Sequence, residues 1–198
     1  MALNLITLVE YKTYAGIKST NYDAEITALI PRISQFVKNY CGRTFVDYVD
    51  VDKVEYFNGG TNRFILAEGP VISVSSVGYS TDFGQTYTNL TEYVDWVLDD
   101  GAIRSLNTTG ITSLITVNQA FREMIRGYRV TYRAGYDDVP GDVALAIMDM
   151  VTYYRKSDMS VHSNKAPGTN NVQIEYISTT NLPAHIKRVL DMYRSDYT

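Results

Sequence analysis

Histidine, cysteine and tryptophan are nearly missing from this chain, which holds two His, one Cys and one Trp in 198 residues. A zinc or iron site needs three or four ligands at short, defined spacings, and His162 and His185 stand far apart. The single Cys41 cannot form an intramolecular disulfide, so the chain lives in a reducing compartment or needs no such staple. Cys41 falls on an apolar stripe with no downstream His placed to pair with it, and it reads as a packing residue. The phosphate-cradling and nucleophile-elbow patterns GxxxxGK[ST], GxGxxG and GxSxG are absent. No apolar run approaches the roughly 20 residues needed to span a bilayer. The opening MALNLITLVEYKTYAG has no basic stretch ahead of its apolar residues and does not read as a secretory leader. A basic excess is missing too: 18 Lys and Arg stand against 22 Asp and Glu, a net charge of −4. That balance argues against a protein dedicated to wrapping nucleic acid. The expectation is a non-enzyme with no metal and no cofactor.

What is present is an ordinary folded composition, 45% hydrophobic and 20% charged. The length suits one large domain, or one domain with a sizeable insertion. Tyrosine stands out, with 17 Tyr against 6 Phe. A ring that carries a hydroxyl suits surfaces wet before assembly and buried after it. A core that simply favours Tyr would look the same.

The hydrophobic pattern changes period twice. Thr7 and Glu10 make a capping box for a first short helix, and Gly16 stops it. Asn21 or Asp23 opens a longer helix, with Ile26, Leu29, Ile30, Ile33, Phe36, Val37, Tyr40 and Cys41 on one stripe and Gly42 at its end. Pro31 lies inside it and predicts a kink or break near residues 27–31. From Phe45 to Tyr136 the text alternates as short strands between Gly, Asn and Asp turns, which reads as antiparallel β. Asn58-Gly59-Gly60 is a hairpin signal, and Asp99-Asp100-Gly101 is a second turn. Residues 118–126 suit a short helix or turn. Pro140 and Asp142 then open a helix over 141–155, carried by Val143, Ile147, Met150, Val151 and Tyr154. Residues 157–171 read as a mobile polar loop, Val172–Ile177 as a strand in need of a neighbour, and Pro183 as the start of a last helix. The fold class is α+β: a helical bundle from residues 1–45 and 137–198, with an antiparallel β domain inserted at 46–136. Ile33, Phe36, Val37, Ile147 and Met150 are expected in the bundle core.

Two groups of residues are candidates for contacts. Arg122, Arg126, Arg129 and Arg133 form a basic group that Arg104 is expected to approach across the sheet. Such a group holds a partner's carboxylates or phosphates, and the overall negative charge favours a protein partner. The other group is C-terminal: an alternating Val172, Ile174 and Tyr176, then a helix with Ile186, Val189, Leu190 and Tyr193 on one face and Lys187, Arg188 and Arg194 beside it. The acidic pairs Asp50/Asp52, Asp99/Asp100 and Asp137/Asp138 fall at expected turns, where carboxylates bond local backbone.

Several phrases occur in a telling order. Leu5 to Lys12 with Gly16-Ile17 precedes Ile26–Ile33 and Asn39-Tyr40-Cys41-Gly42-Arg43-Thr44-Phe45. Glu68-Gly69-Pro70-Val71-Ile72-Ser73-Val74 follows. Val130-Thr131-Tyr132-Arg133-Ala134-Gly135-Tyr136 then leads to Val139-Pro140-Gly141-Asp142-Val143 and a helix ending Val151-Thr152-Tyr153-Tyr154. This succession resembles the head–tail connector (adaptor) proteins of tailed bacteriophages. Pro31 and the longer β segment depart from that family's minimal pattern.

The resemblance implies a structural virion protein of the neck, assembled in the host bacterial cytoplasm. It implies a ring, typically of twelve copies, under the portal protein. That ring extends the DNA channel and carries the next neck or tail protein. Genomic DNA would pass through it without specific binding, and no membrane is involved. The C-terminal group named above would then dock on the portal. A stopper or tail-completion protein is the alternative within the same setting. A DNA-binding module using the four arginines and a metal-dependent hydrolase using paired aspartates are the rivals outside it.

Overall fold

A computed structural model describes residues 3–106, 120–163 and 182–194, without the side chains of 156–163. The chain divides into two compact units, a helical unit of residues 2–43 with 138–198 and a β unit of residues 44–137. The class is α+β, as the change of period implied.

The helical unit contains α1 (Leu8–Ala15), α2 (Asp23–Cys41), α3 (Gly141–Ser163) and α4 (Ala184–Met192). The Thr7/Glu10 capping box forms, and Gly16 and Gly42 close α1 and α2 at φ 65° and 66°. Helix α2 runs unbroken through Pro31, against the expected break. Both Pro31 and Thr27 face solvent, so water can satisfy the carbonyl that loses its helical partner. The buried stripe is Ile26, Ile30, Ile33, Val37 and Cys41, joined by Val143, Ile147, Met150 and Val151 from α3. Phe36, expected in this core, is exposed instead and stacks on Tyr40 at 6.3 Å. The stripe turns past it to Ser34 and Lys38, two buried polar residues that the periodicity left out. They receive the N-terminal segment: Leu5 N–H donates to Ser34 Oγ (3.1 Å), and Lys38 Nζ donates to the Leu3 carbonyl (2.8 Å). Helix α3 continues to Ser163. Residues 157–163, expected as the start of a loop, are therefore helical, and His162 sits on a helix. Residues 164–181 lie outside the described set, and with them most of that loop and the strand expected at 172–177.

The β unit has two sheets. Strands β1 (Tyr48–Phe57), β3 (Val71–Tyr79), β4 (Thr88–Asn89) and β7 (Tyr128–Ala134) pair in the order β1-β7-β3-β4. Strands β2 (Arg63–Ile65), β5 (Trp96–Asp99) and β6 (Ala102–Ser105) pair as β2-β6-β5. Every named pairing is antiparallel. The Asp99–Gly101 turn does join a hairpin, β5 to β6. Asn58-Gly59-Gly60 does not, because β1 pairs with the distant β7. The turn instead holds the segment before β7: Gly60 N–H donates to the Phe121 carbonyl (2.7 Å), and the Asn58 side-chain Oδ1 accepts from Arg126 N–H (2.7 Å). A Cβ on Gly59 would fall 1.7 Å from the Arg122 carbonyl oxygen, so only glycine fits. Residues 120–126 form no helix. Asp50 and Asp52 lie within β1 rather than at a turn.

The two sheets share one core. Phe64, Leu66, Trp96, Ile103 and Phe121 meet Val77, Tyr128, Val130, Tyr132 and Ala134. Phe64 stacks on Phe121 with centroids 4.1 Å apart, and Tyr128 closes on both rings.

Candidate functional site

Helix α4 is placed by its own apolar face. Ile186 and Leu190 are fully buried within the helical unit, where α4 packs on α2 and α3. Cys41 sits beneath it, its Sγ donating to the Leu190 carbonyl at 3.6 Å, and burial pushes the thiol up to about 11. Tyrosine hydroxyls then tie one helix to the next. Tyr40 donates to Asp191 (2.6 Å), Tyr193 to Asp142 (2.8 Å) and Tyr14 to Asp149 (2.6 Å). The hydrogen bond to Asp191 raises the Tyr40 pKa, and that to Asp149 raises the Tyr14 pKa.

The apolar residues Ile186 and Leu190, expected to enter a partner's groove, are thus occupied at home, and Val189 and Tyr193 are half-buried. Outward, α4 and its end present Lys187, Arg188, Met192 and Arg194, with Ala184, His185 and Asp191 also exposed. Val172, Ile174 and Tyr176 lie outside the described residues. A separate pocket of about 460 Å³ opens beside Tyr11, Tyr22 and Arg155. The Arg155 guanidinium lies over the Tyr22 ring (4.8 Å) and pairs with Glu25 (3.2 Å).

In the β unit, register puts Arg129 opposite Tyr56 and Thr131 opposite Val54. Paired residues share a face, so β7 turns its arginines to the side away from the core. Arg129 lies over the Tyr87 ring (4.7 Å) and Arg126 over the Tyr56 ring (4.5 Å). These are cation–π contacts on the face away from the core, with Arg126 exposed and Arg129 half-buried. Arg133 pairs with Asp52 at 2.9 Å. Arg122 is exposed. Arg104 does not join them, because it lies in the second sheet and pairs with Asp99. The aromatic partners Tyr56 and Tyr87 were not legible as such, since only the β1–β7 pairing and the close packing of Tyr87 on Gly78 bring them to the arginines.

The inner face of the same sheet holds a buried polar group. Lys53 lies 2.8 Å from Glu55 and 3.4 Å from Glu68. Tyr132 donates to Glu55 (2.8 Å) and accepts from Glu68 N–H (3.1 Å), while Glu68 also accepts from Thr44 N–H (2.9 Å). Burial opposes the charge on Lys53, yet the hydrogen bond and charge of Glu55, with those of Glu68, raise its pKa. Burial drives the Tyr132 phenol well above its ordinary value. Every member has a partner, which is the pattern of a structural network. Among the described residues no group of three or more His, Cys, Asp and Glu is placed to hold a metal ion. No described helix is long and apolar enough to cross a membrane.

Comparison with known proteins places the chain in a family. The head completion protein family profile matches residues 4–195, spanning both units. The chain belongs to the head completion protein family. The resemblance to phage head–tail connectors drawn from the motifs holds at the level of the family, and with it a structural role at the head and neck of a virion. A solved chain from the neck of an empty GTA particle, computed with C6 symmetry, has the same fold. Its TM-score is 0.58 at 13% identity, covering 98% of this chain and 91% of that one. No curated protein sequence matches this head completion protein.

Proposed function

We propose that this head completion protein is a ring-forming subunit of the virion neck, of twelve copies, seated under the portal protein. The ring extends the DNA channel and offers a platform to the next neck or tail protein. The observation that carries this reading is the family match across both units. The neck that contains the structural neighbour was computed with C6 symmetry, and a twelve-membered ring contains a six-fold axis. The chain carries 18 Lys and Arg against 22 Asp and Glu, a net of −4. DNA affinity scales with phosphates neutralised by Lys and Arg, so a mildly acidic ring suits a channel through which DNA slides without sticking.

The segment 172–198 is the portal-docking element in this reading. Ile186 and Leu190 anchor α4 to its own unit. The contact then falls to Lys187, Arg188 and Arg194, with Val172, Ile174 and Tyr176 adding as a strand to a neighbouring edge. The substitution set Lys187→Glu, Arg188→Glu and Arg194→Glu tests it. The expected protein melts as the parent does and no longer joins the portal, giving particles that lose their DNA. Normal assembly on the portal would refute the docking assignment. Counting subunits in averaged images of purified necks tests the ring, and a neck without this chain would refute the whole reading.

A further inference from the structure

On the outer face of the first sheet two guanidinium groups rest on tyrosine rings rather than on carboxylates. Arg129 stands opposite Tyr56 in the β1–β7 register and lies over the Tyr87 ring at 4.7 Å. Arg126 lies over the Tyr56 ring at 4.5 Å. The two rings are 6.1 Å apart, so the four side chains form one cluster. Among the described residues the arginines paired with carboxylates are Arg104, Arg133 and Arg155, and neither member of the cluster belongs to that set. Arg129 Nε is buried and has no hydrogen-bond partner. A ring beside a guanidinium favours its charge but leaves its in-plane N–H groups without an acceptor, and a buried donor left so is unfavourable.

The cluster is fixed from several sides. Arg126 holds a positive φ of 50°, a backbone uncommon outside glycine. Both of its backbone groups are clamped: its N–H donates to Asn58 Oδ1 (2.7 Å), and its carbonyl accepts from the Tyr87 hydroxyl (2.9 Å). The loop before β4 presses on the same place. A Cβ on Gly84 would fall 2.7 Å from the Tyr87 hydroxyl oxygen and 3.1 Å from Arg126 Cβ. The guanidiniums are thus positioned before any partner arrives, which lowers the ordering cost of binding. Apolar side chains border them. Val54 shares the outer face with Tyr56, and the two are 44% and 48% exposed. Phe83 and Ile125, the chain neighbours of Gly84 and Arg126, are 65% and 66% exposed. Exposed apolar groups beside charge mark a protein contact.

We propose that this cluster is the docking site for an acidic segment of another protein, whose carboxylates take the free N–H edges of Arg126 and Arg129 while its apolar side chains cover Val54 and Ile125. Charge complementarity selects the occupant, because a planar guanidinium fork fits the paired oxygens of a carboxylate. A phosphate backbone is anionic as well, but the net charge of −5 on the β unit opposes a dense line of phosphates. Nor can bases stack where the guanidiniums already cover the Tyr56 and Tyr87 rings. Aliphatic side chains beside the arginines also have no counterpart on a sugar–phosphate strand. Arg and Tyr are the residue types that concentrate binding energy at protein contacts. The inference needs neither the ring nor the portal assignment above.

The probe is a short peptide of alternating Glu and Leu, blocked at both ends and titrated into the full chain, with arginine Nε–H and isoleucine methyl signals followed by NMR. The signals of Arg126, Arg129 and Ile125 are expected to move together and saturate. Those of Arg133 and Arg155 should stay, because each already holds a carboxylate. The same peptide with Gln in place of Glu should bind about tenfold more weakly or less. Arg129→Gln and Arg126→Asn should each weaken the Glu peptide about tenfold. Asn suits position 126 because it tolerates a positive φ, and Arg126 is exposed, so this variant carries the test if Arg129→Gln fails to fold. No movement of these signals at any peptide concentration overturns the proposal. Equal binding of the Gln peptide, or full affinity in Arg126→Asn, overturns it too. So does a short double-stranded DNA that moves the same signals and displaces the peptide at equal ionic strength, which would give this face to nucleic acid.

Discussion

The helical unit balances its charge within itself, with eleven Lys and Arg against ten Asp and Glu, and its ion pairs and tyrosine hydroxyls join helix to helix. The β unit carries seven Lys and Arg against twelve Asp and Glu, a net of −5, and buries a polar network around Tyr132. The helical unit closes on itself through these ties. The two charge balances fall to different hydrophobic periods of the same sequence.

The largest expected effect breaks the closed unit. Ile147→Ala removes a fully buried side chain between α3 and its neighbours. It should cost about 2–5 kcal/mol, read by urea unfolding, and Ile33→Ala should behave alike. A loss below about 0.5 kcal/mol at both would mean that these helices do not form the core. Next comes Tyr132→Phe in the β unit. It leaves the Glu68 N–H without its acceptor and takes from Glu55 one of its donors, Lys53 and the Ala67 N–H remaining, at about 1–3 kcal/mol. An unchanged denaturation midpoint would show that water replaces the hydroxyl at no cost.

Alkali should loosen the tyrosine ties of the helical unit. Tyr14 and Tyr40 have folded pKa values raised by their bonds to Asp149 and Asp191. A raised value means that their contribution is fully present below the unfolded pKa of about 10. It is lost as pH rises through the folded value. Tm should therefore fall above about pH 10, and the double variant Tyr14→Phe, Tyr40→Phe should show a shallower fall. An identical slope in both proteins would remove these tyrosines from the account. The smallest effect is at the cap: Thr7→Ala should cost about 1 kcal/mol. Its calorimetric shift would belong to the helical transition if the two units melt separately.

Helices are the legible part. Capping at Thr7 and Glu10 and stops at Gly16 and Gly42 are local chemistry, written within a few residues of where they act. In several places where expectation and structure part, the cause is a partner far away in sequence. Phe36 has the right spacing for the stripe, but Ser34 and Lys38 take the inner position because residues 3–6 come back to bond them. Asn58–Gly60 has the composition of a hairpin, yet it serves a segment more than 60 residues on. The arginine group is visible in composition, while its tyrosine partners become visible only through strand pairing. On α4 the amphipathic face is legible, but periodicity alone does not say whether it is buried at home or against a partner.

The tyrosine ties of the helical unit have a consequence for the medium the particle meets. A phenol that donates to a carboxylate brings only one charge to the bond, so mobile ions have no attraction between opposite charges to weaken. Exposed charges beyond about 10 Å at 0.1 M ionic strength no longer feel one another. Contacts built on them loosen as salt rises, while Tyr40–Asp191 and Tyr193–Asp142 hold. Moving between a crowded cell and dilute surroundings, the helical frame should keep its dimensions, and only joints made of paired charges should change their grip.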